Sequence, residues 1–126
     1  MSVESEAAIP SMMEQANKHL IDKEYKMAEG VYQRVILASP ERINPEAHRA
    51  LGDSLLMQNR IIDAIKSYNT AIEQRKGEYP EAHNHLGHAL FKDGKFEDSI
   101  KSFQTAIEQR GGSYPCLLYT SPSPRD

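Results

Sequence analysis

Residues 45–79, "PEAHRALGDSLLMQNRIIDAIKSYNTAIEQRKGEY", are followed directly by a second version of the same stretch, residues 80–114, "PEAHNHLGHALFKDGKFEDSIKSFQTAIEQRGGSY". Aligned without a gap, 19 of the 35 positions are identical. A period of this length is typical of repeat architectures, in which each unit buries its apolar face against its neighbours. The sequence therefore predicts an array of stacked units.

Each unit is predicted to contain two amphipathic helices. In the first helix, Ala47, Leu51 and Leu55 recur every four residues and so share one helical face. In the second, apolar or small residues follow a three-and-four pattern at Ile61, Ala64, Ile65, Tyr68, Ala71 and Ile72. The third unit repeats both patterns, so an all-α fold is expected.

Proline, asparagine and glycine mark the helix boundaries. Pro45 and Pro80 suit a first helical position, where the missing N–H costs nothing. Asn59 and Gly94 fall between the two helices of their units, and both residue types tolerate the left-handed conformation that ends a helix. These boundary residues lie where the periodic apolar pattern of each helix begins or ends.

Two glycines stand in the middle of predicted helices. Gly52 and Gly87 each cost about 1 kcal/mol relative to alanine, and the repetition of this cost indicates close helix packing. Ala71 and Ala106 are the small residues that we expect opposite them on the second helices.

A more divergent unit precedes these two. The segment "KEYKMAEGVYQRVI", residues 23–36, aligns with the second helix of the third unit, and "SMMEQANKHLI", residues 11–21, supplies a first helix. Ala16 takes the small position of the later glycines. The predicted organisation is listed by range: a flexible N-terminus at 1–8, a divergent repeat at 9–44, repeats at 45–79 and 80–114, and a truncated repeat with a tail at 115–126.

The repeated residues resemble the tetratricopeptide repeat family over about residues 9–114. The matching positions are His48, Leu51, Gly52, Leu55, Ala64, Tyr68 and Ala71, and then His83, Leu86, Gly87, Leu90, Ser99, Phe103 and Ala106. The resemblance implies a right-handed α-solenoid of antiparallel helix pairs, with about three repeats. Histidine replaces the usual large residue at positions 48 and 83, and the period is 35 residues, one more than the family norm.

The resemblance also implies a binding groove, because the family holds peptides against the first helix of each unit. Carried over by position, the partner-binding residues are Met13, Asn17, Leu20, Ile21, Glu46, Arg49, Asp53, Leu56, Met57, Glu81, Asn84, His88, Phe91 and Lys92. The apolar members Leu56, Met57 and Phe91 have a second interpretation, in which they only support neighbouring helices.

One subclass of the family grips a chaperone's terminal carboxylate with basic and amide side chains. At those positions this chain carries Met13, Asn17, Ala50, Glu81 and His85. Only Asn17 matches, and Glu81 would repel a carboxylate, which needs charge-assisted donors. The sequence thus argues against a chaperone clamp and in favour of another peptide or protein partner.

Composition narrows the classes of function. The 15 basic and 18 acidic residues are mixed along the chain, which disfavours nucleic-acid binding. The sequence has neither an apolar run long enough to span a membrane nor a signal peptide, and its one cysteine cannot form an internal disulfide. These features predict a soluble protein of the cytoplasm, with the nucleus also open.

Neither a metal site nor an enzyme is predicted. His85 and His88 lie one helical turn apart, but two imidazoles without a third ligand make a weak metal site, so structural or solvated histidines are favoured. The motifs of phosphate loops, nucleophile elbows and zinc proteases are missing from the sequence, and no cofactor is expected. The main hypothesis is an interaction scaffold; the alternative is the targeting or regulatory arm of a larger enzyme.

The C-terminal run departs from the repeat after Pro115, which stands where a fourth unit would open. Codons for "CLLYTSPSPRD", residues 116–126, can spell a sequence that resembles a transposase-based sequencing adaptor. We interpret this run as encoded by that reagent, which makes the chain a fragment; a phosphorylated or polyproline tail is the alternative. The last helix pair is then expected to leave an apolar face uncovered around Phe103 and Ile107.

Overall fold

The structure, a computed structural model, describes residues 6–111 of the chain and contains six α-helices over that range. Their bounds are α1 Ile9–Ile21, α2 Tyr25–Ala38, α3 Pro45–Met57, α4 Ile61–Gln74, α5 Pro80–Lys92 and α6 Phe96–Gln109. Short 3-10 turns occupy Glu6–Ala8, inside the segment predicted to be flexible, and Pro40–Arg42. The predicted truncated repeat and tail, with Cys116, lie outside the described residues.

The helices pack as successive antiparallel pairs in two layers. α1 packs on α2, α3 on α4 and α5 on α6, while α2 also contacts α3 and α4 contacts α5. The first helices touch one another in order, α1 with α3 and α3 with α5. This arrangement is an all-α solenoid of helix pairs, and α1, α3 and α5 together present one face, called here the groove face.

The turn inside each helix pair is built in the same way. Asn59 and Gly94 adopt positive φ angles of 65° and 83°, which confirms the predicted helix ends. Lys23 takes the same place in the first unit with φ of 65°. The amide that follows each of these residues bonds a carbonyl five residues earlier, as in Arg60 N–H to Leu55 O at 2.9 Å. All three pairs therefore turn with the same geometry.

The mid-helix glycines make room for aromatic rings. A β-carbon on Gly52 would lie 2.7 Å from Cε1 of Tyr68, and one on Gly87 would lie 2.7 Å from Cε1 of Phe103. Close packing was predicted correctly, but its partner was wrong: Ala71 does not face Gly52 and instead clusters with residues at the start of α5. A flat ring can occupy the gap left by a missing side chain more fully than alanine does.

Two glutamines close the last two helix pairs. Gln74 at the end of α4 accepts from Asn44 N–H at 3.0 Å and donates to Arg42 O at 3.2 Å. Gln109 at the end of α6 likewise accepts from Tyr79 N–H at 2.9 Å and donates to Gly77 O at 2.7 Å. These glutamine clasps tie the end of each of these helix pairs to the loop that leads into it.

The divergent first unit joins the second through a buried carboxylate. Glu29 on α2 is 9% exposed, and both of its oxygens lie 3.1 Å from Nη1 of Arg60. Gln58 also donates to it at 2.9 Å. The equivalent position in the second unit is Ile65, so a polar contact replaces an apolar one at this junction. A buried charge with fewer partners would be costly.

The two ends of the solenoid differ in polarity. Four α1 positions that would face a preceding helix are exposed and polar: Ser11, Glu14, Gln15 and Lys18. Their α3 equivalents are buried beneath the preceding pair: Ala47, Ala50, Leu51 and Ser54. On α6, by contrast, Phe96, Ile100 and Ile107 are 56%, 55% and 47% exposed. The α1 end is thus capped by polar residues, whereas the α6 end is apolar.

Candidate partner-binding groove

All fourteen predicted groove residues lie on the first helices, and none of them is buried. The exposed members are Asn17, Ile21, Glu46, Met57, Glu81, His88, Phe91 and Lys92. The half-buried members are Met13, Leu20, Arg49, Asp53, Leu56 and Asn84. Met13, Leu20 and Leu56 also pack against the core, so the supporting interpretation, given for Leu56, Met57 and Phe91, applies to Leu56.

Asp53 is the centre of a hydrogen-bond network on the groove face. Its Oδ1 accepts from the Tyr68 hydroxyl at 2.5 Å and lies 2.7 Å from Nδ1 of His85. Its Oδ2 accepts from Nη1 of Arg49 at 3.0 Å. The carboxylate thereby links α3, α4 and α5, and both of its oxygens are occupied.

Arg49 is engaged by the protein as well. Besides its bond to Asp53, its Nε donates to the Tyr79 hydroxyl at 3.1 Å. Burial by itself lowers the pKa of Arg49, but the Tyr79 hydroxyl and the Asp53 carboxylate outweigh it and leave that pKa raised. The guanidinium group of Arg75 lies over the Tyr79 ring, with its central carbon 4.3 Å from the ring centre. Arg49 and Asp53 thus serve to join α3 to its neighbours.

One groove position in each unit faces an aromatic residue of the second helix. Asn17 Oδ1 accepts from the Tyr32 hydroxyl at 2.5 Å, as Asp53 does from Tyr68. In the third unit the aromatic residue is Phe103, which has no hydroxyl, and His88 contacts it edge to face with ring centres 5.1 Å apart. The aromatic residue therefore orients a groove side chain in every unit.

Burial and the nearby carboxylate act on the two tyrosine hydroxyls. Burial first, and then Asp53, raises the pKa of Tyr32 to about 12. The same two causes raise the pKa of Tyr68 further, and its direct hydrogen bond to Asp53 adds to them. Both groups therefore remain protonated donors at neutral pH.

Two clefts open between α3 and α5. The larger, about 420 Å³, lies at the N-terminal ends of the helices and is polar, with Arg49, Arg75, Glu46 and Glu81 among its lining residues. The smaller, about 210 Å³, lies further along the groove face. Its lining residues are Asp53, Leu56, Met57, Tyr68, His85 and His88. The groove face is thus polar at one end and apolar at the other.

The histidines have protein partners rather than metal-site geometry. Within residues 6–111, no group of three or more His, Cys, Asp or Glu side chains is placed to hold a metal ion. His83 Nε2 lies 3.0 Å from Gly77 O, and His85 bonds Asp53. His48 is half-buried, and burial lowers its pKa although a backbone bond to Arg42 acts in the opposite direction.

No helix among the described residues is long and apolar enough to cross a membrane.

Several residues of this site could not be identified from the sequence. Tyr79 holds Arg49 in place and His85 holds Asp53 in place. In the sequence, Tyr79 was marked only by its recurrence in the next unit, and His85 only by its weak pairing with His88. Ala50, one of the positions compared with the chaperone clamp, is 2% exposed and does not line the groove. The fourteen positions were carried over from a resemblance, which says nothing about which of them the protein itself uses.

Family and structure comparisons agree with this architecture. A family model described as a tetratricopeptide repeat matches residues 22–77 and again residues 49–115, which together cover more than half of the chain. Comparison with curated protein sequences gives no match.

Solved structures share the fold at low sequence identity. MamA 41-end from Desulfovibrio magneticus RS-1 has a TM-score of 0.75 and 19% identity over 83% of this chain. The first TPR of Spaghetti (RPAP3), bound to the HSP90 peptide SRMEEVD, has a TM-score of 0.79 and 21% identity over 89% of this chain and 86% of its own. A CopN–Scc3 complex gives 0.71 and 18% over 80% of this chain and 58% of its own. This chain spans 58% of the MamA chain. At these identities the likeness shows the fold alone.

Proposed function

Because the chain belongs to the tetratricopeptide repeat family, we propose that it is a protein-interaction scaffold that binds a peptide or partner protein on its groove face. The binding residues are proposed to be those groove positions that the protein does not engage internally. Arg49 and Asp53 contribute indirectly, since they fix the position of α3 relative to α4 and α5.

The observation that carries this proposal is the exposed apolar side chain that each unit has at the end of its first helix. Ile21 is 78% exposed, Met57 57% and Phe91 60%, and each lies at or next to the last residue of α1, α3 or α5. Large exposed apolar side chains that recur from unit to unit mark a candidate interaction surface.

Two structural neighbours support a binding role. The RPAP3 structure is of a repeat domain bound to a peptide, and the CopN–Scc3 structure is of a complex. The particular peptide does not carry over, because the exposed Glu81 and the buried Ala50 replace the donors that a carboxylate needs. The proposed partner is therefore a peptide or protein held without a terminal-carboxylate clamp.

The alternative function, a regulatory or targeting arm of a larger enzyme, remains a prediction. It concerns sequence other than these 126 residues, and the native coding sequence downstream of the Pro115 codon tests it. A catalytic domain in that frame would support the arm, whereas further repeats and a stop codon would contradict it.

A cytoplasmic location is likewise proposed, because the sequence has a single cysteine.

A library of displayed random dodecapeptides selected on the protein tests the scaffold function. Phe91→Ser removes an exposed ring that also packs on Phe96 of α6 with ring centres 5.1 Å apart, and Ile62→Ser, 53% exposed on α4, is the control for loss of an exposed apolar side chain. Selected peptides should lose affinity about tenfold with Phe91→Ser and bind Ile62→Ser unchanged. Equal binding to both variants, or no enrichment of any peptide, would contradict the groove as the binding site. Arg49 is not suitable for this test because its loss also disturbs packing.

A further inference from the structure

We propose that the smaller cleft between α3 and α5 is the anchor site of the groove and takes one uncharged apolar side chain of the bound peptide. This inference rests on the proposed function and specifies the ligand chemistry at one site. It follows from the size of the cleft, its walls and the way in which its one carboxylate is neutralised.

The walls of the cleft are mostly carbon. Leu56 and Met57 come from α3, the buried Tyr68 ring comes from α4, and His85 and His88 come from α5. The volume of about 210 Å³ is below the roughly 300–1,000 Å³ of sites for whole small molecules, so it suits a single side chain. Met57 is unbranched and 57% exposed, which allows it to adapt to the shape of a ligand.

Asp53 lines this cleft, but its charge is already paired with Arg49, and three of its roughly four acceptor sites are used inside the protein. Arg49 neutralises the carboxylate through Oδ2, and Tyr68 and His85 occupy Oδ1. A lysine or arginine side chain that entered the cleft would lose its water without gaining a free carboxylate. An acidic side chain would meet Asp53 itself. The cleft therefore selects an uncharged apolar group.

The hydrogen bond to Asp53 also fixes which His85 nitrogen carries the proton. An ionised carboxylate can only accept, so the imidazole nitrogen 2.7 Å from Oδ1, Nδ1, is the donor. In the neutral ring, Nε2 is then an acceptor on a side chain that is 33% exposed and lines the cleft. The Tyr68 ring packs edge to face against the His85 imidazole, with the ring centres 5.9 Å apart. Nε2 is thus proposed to receive an N–H from the backbone of the bound peptide.

Methyl NMR provides a direct test, since the methionines lie in different places. Met57 lines the cleft, whereas Met27 is 55% exposed on the second helix α2. The chain labelled at its methionine methyls is titrated with N-acetyl-leucine methylamide. Saturable shifts of Met57 with a constant Met27 are expected. N-acetyl-aspartate methylamide has a charged side chain, and N-acetyl-glycine methylamide has none. Both should bind at least about tenfold more weakly than the leucine amide.

Two matched variants complete the test. Met57→Glu introduces a charge at the mouth of the cleft, and Met27→Glu introduces the same charge at an equally exposed site elsewhere. Because both side chains are mostly in water, both variants should retain the helical circular dichroism spectrum. Binding of the leucine amide is measured by the chemical-shift change of the His85 imidazole. The affinity should be unchanged for Met27→Glu and about tenfold weaker for Met57→Glu. Equal binding to both, or shifts at Met27 as large as those at Met57, would overturn the proposed anchor.

Failure of the anchor and failure of the scaffold function give different results. If selected dodecapeptides depend on Phe91 but the leucine amide does not shift Met57, the anchor is wrong and the scaffold stands. If the leucine amide binds at Met57 but no dodecapeptide is enriched, the cleft has the inferred selectivity and the scaffold function is wrong. If selected dodecapeptides share an apolar residue and lose affinity with Met57→Glu, both are supported.

Discussion

The ring of Tyr68 lies against the backbone of Gly52, with its Cε1 atom 2.7 Å from the point where a β-carbon would stand. The ring is fully buried, so it cannot move aside. Gly52 therefore sets the distance between α3 and α4 and with it the position of the Tyr68 hydroxyl beneath Asp53.

Gly52→Ala is expected to lower the free energy of unfolding by up to about 2 kcal/mol. Alanine gains up to about 1 kcal/mol of helix propensity, but the clash with a fixed ring costs about 1–3 kcal/mol. Gly30→Ala is the control, because a β-carbon there has nothing within 4 Å and should stabilise α2. Urea unfolding followed by circular dichroism measures both. A Gly52→Ala chain as stable as Gly30→Ala would refute the proposed role of this contact.

Tyr68→Phe is expected to destabilise the fold by about 1.5–3 kcal/mol, the range for hydrogen bonds to charged groups. The hydroxyl donates to Asp53 at 2.5 Å, and the ring itself is kept by the substitution. A double-mutant cycle with Asp53→Asn should reveal coupling between the two residues. Phe103 shows that the fold accepts a phenylalanine at the equivalent place, so the loss reports on the bond. Additive effects of the two substitutions would mean that the bond contributes nothing.

His48 is expected to make stability depend on pH below its ordinary pKa of 6.5. Burial lowers the folded-state pKa, so the unfolded chain binds more protons in the window just below 6.5. The unfolding free energy attributable to His48 should therefore be fully present above that pH and decrease as the pH falls through the window. His48→Gln should remove this part of the slope. The comparison requires urea unfolding of both chains from pH 7.5 to pH 5; parallel curves would contradict the assignment.

The apolar face of α6 is expected to cause self-association of the chain. Ile100→Lys with Ile107→Lys should raise the monomer fraction in sedimentation velocity and leave the fold intact, since these residues are 55% and 47% exposed. The equivalent pair in α4, Ile65 and Ile72, is half-buried and packs against the core. Ile65→Lys with Ile72→Lys should instead lower the unfolding free energy, by about 1–3 kcal/mol for each substitution. Unchanged association after the α6 substitutions would show that another surface is responsible.

The architecture could be predicted because its determinants recur along the sequence. Periodic apolar residues and the Asn59 and Gly94 turns repeat at fixed spacing, and each is a local signal. The partner of Gly52 was predicted incorrectly, since which residue of α4 faces it depends on the rotation of one helix against the other. The ring of Tyr68, and not Ala71, fills that space.

The use of the groove residues was harder to predict than their location. Asp53 was predicted to contact a partner, yet its own partners Tyr68 and His85 stand 15 and 32 residues away in the sequence. No local pattern reports bonds over such separations. Exposure of a groove residue follows from its position on a first helix, whereas its availability to a ligand depends on what the neighbouring helices donate to it.

The glutamine clasps determine how the array would respond to mechanical load. Gln74 and Gln109 each bond the loop that leads into their own helix pair, so each clasp holds one helix pair together with the loop before it. Tension applied along the solenoid therefore falls first on the packing between units. The chain should extend in discrete steps, one helix pair at a time, with each pair still closed by its clasp as it separates.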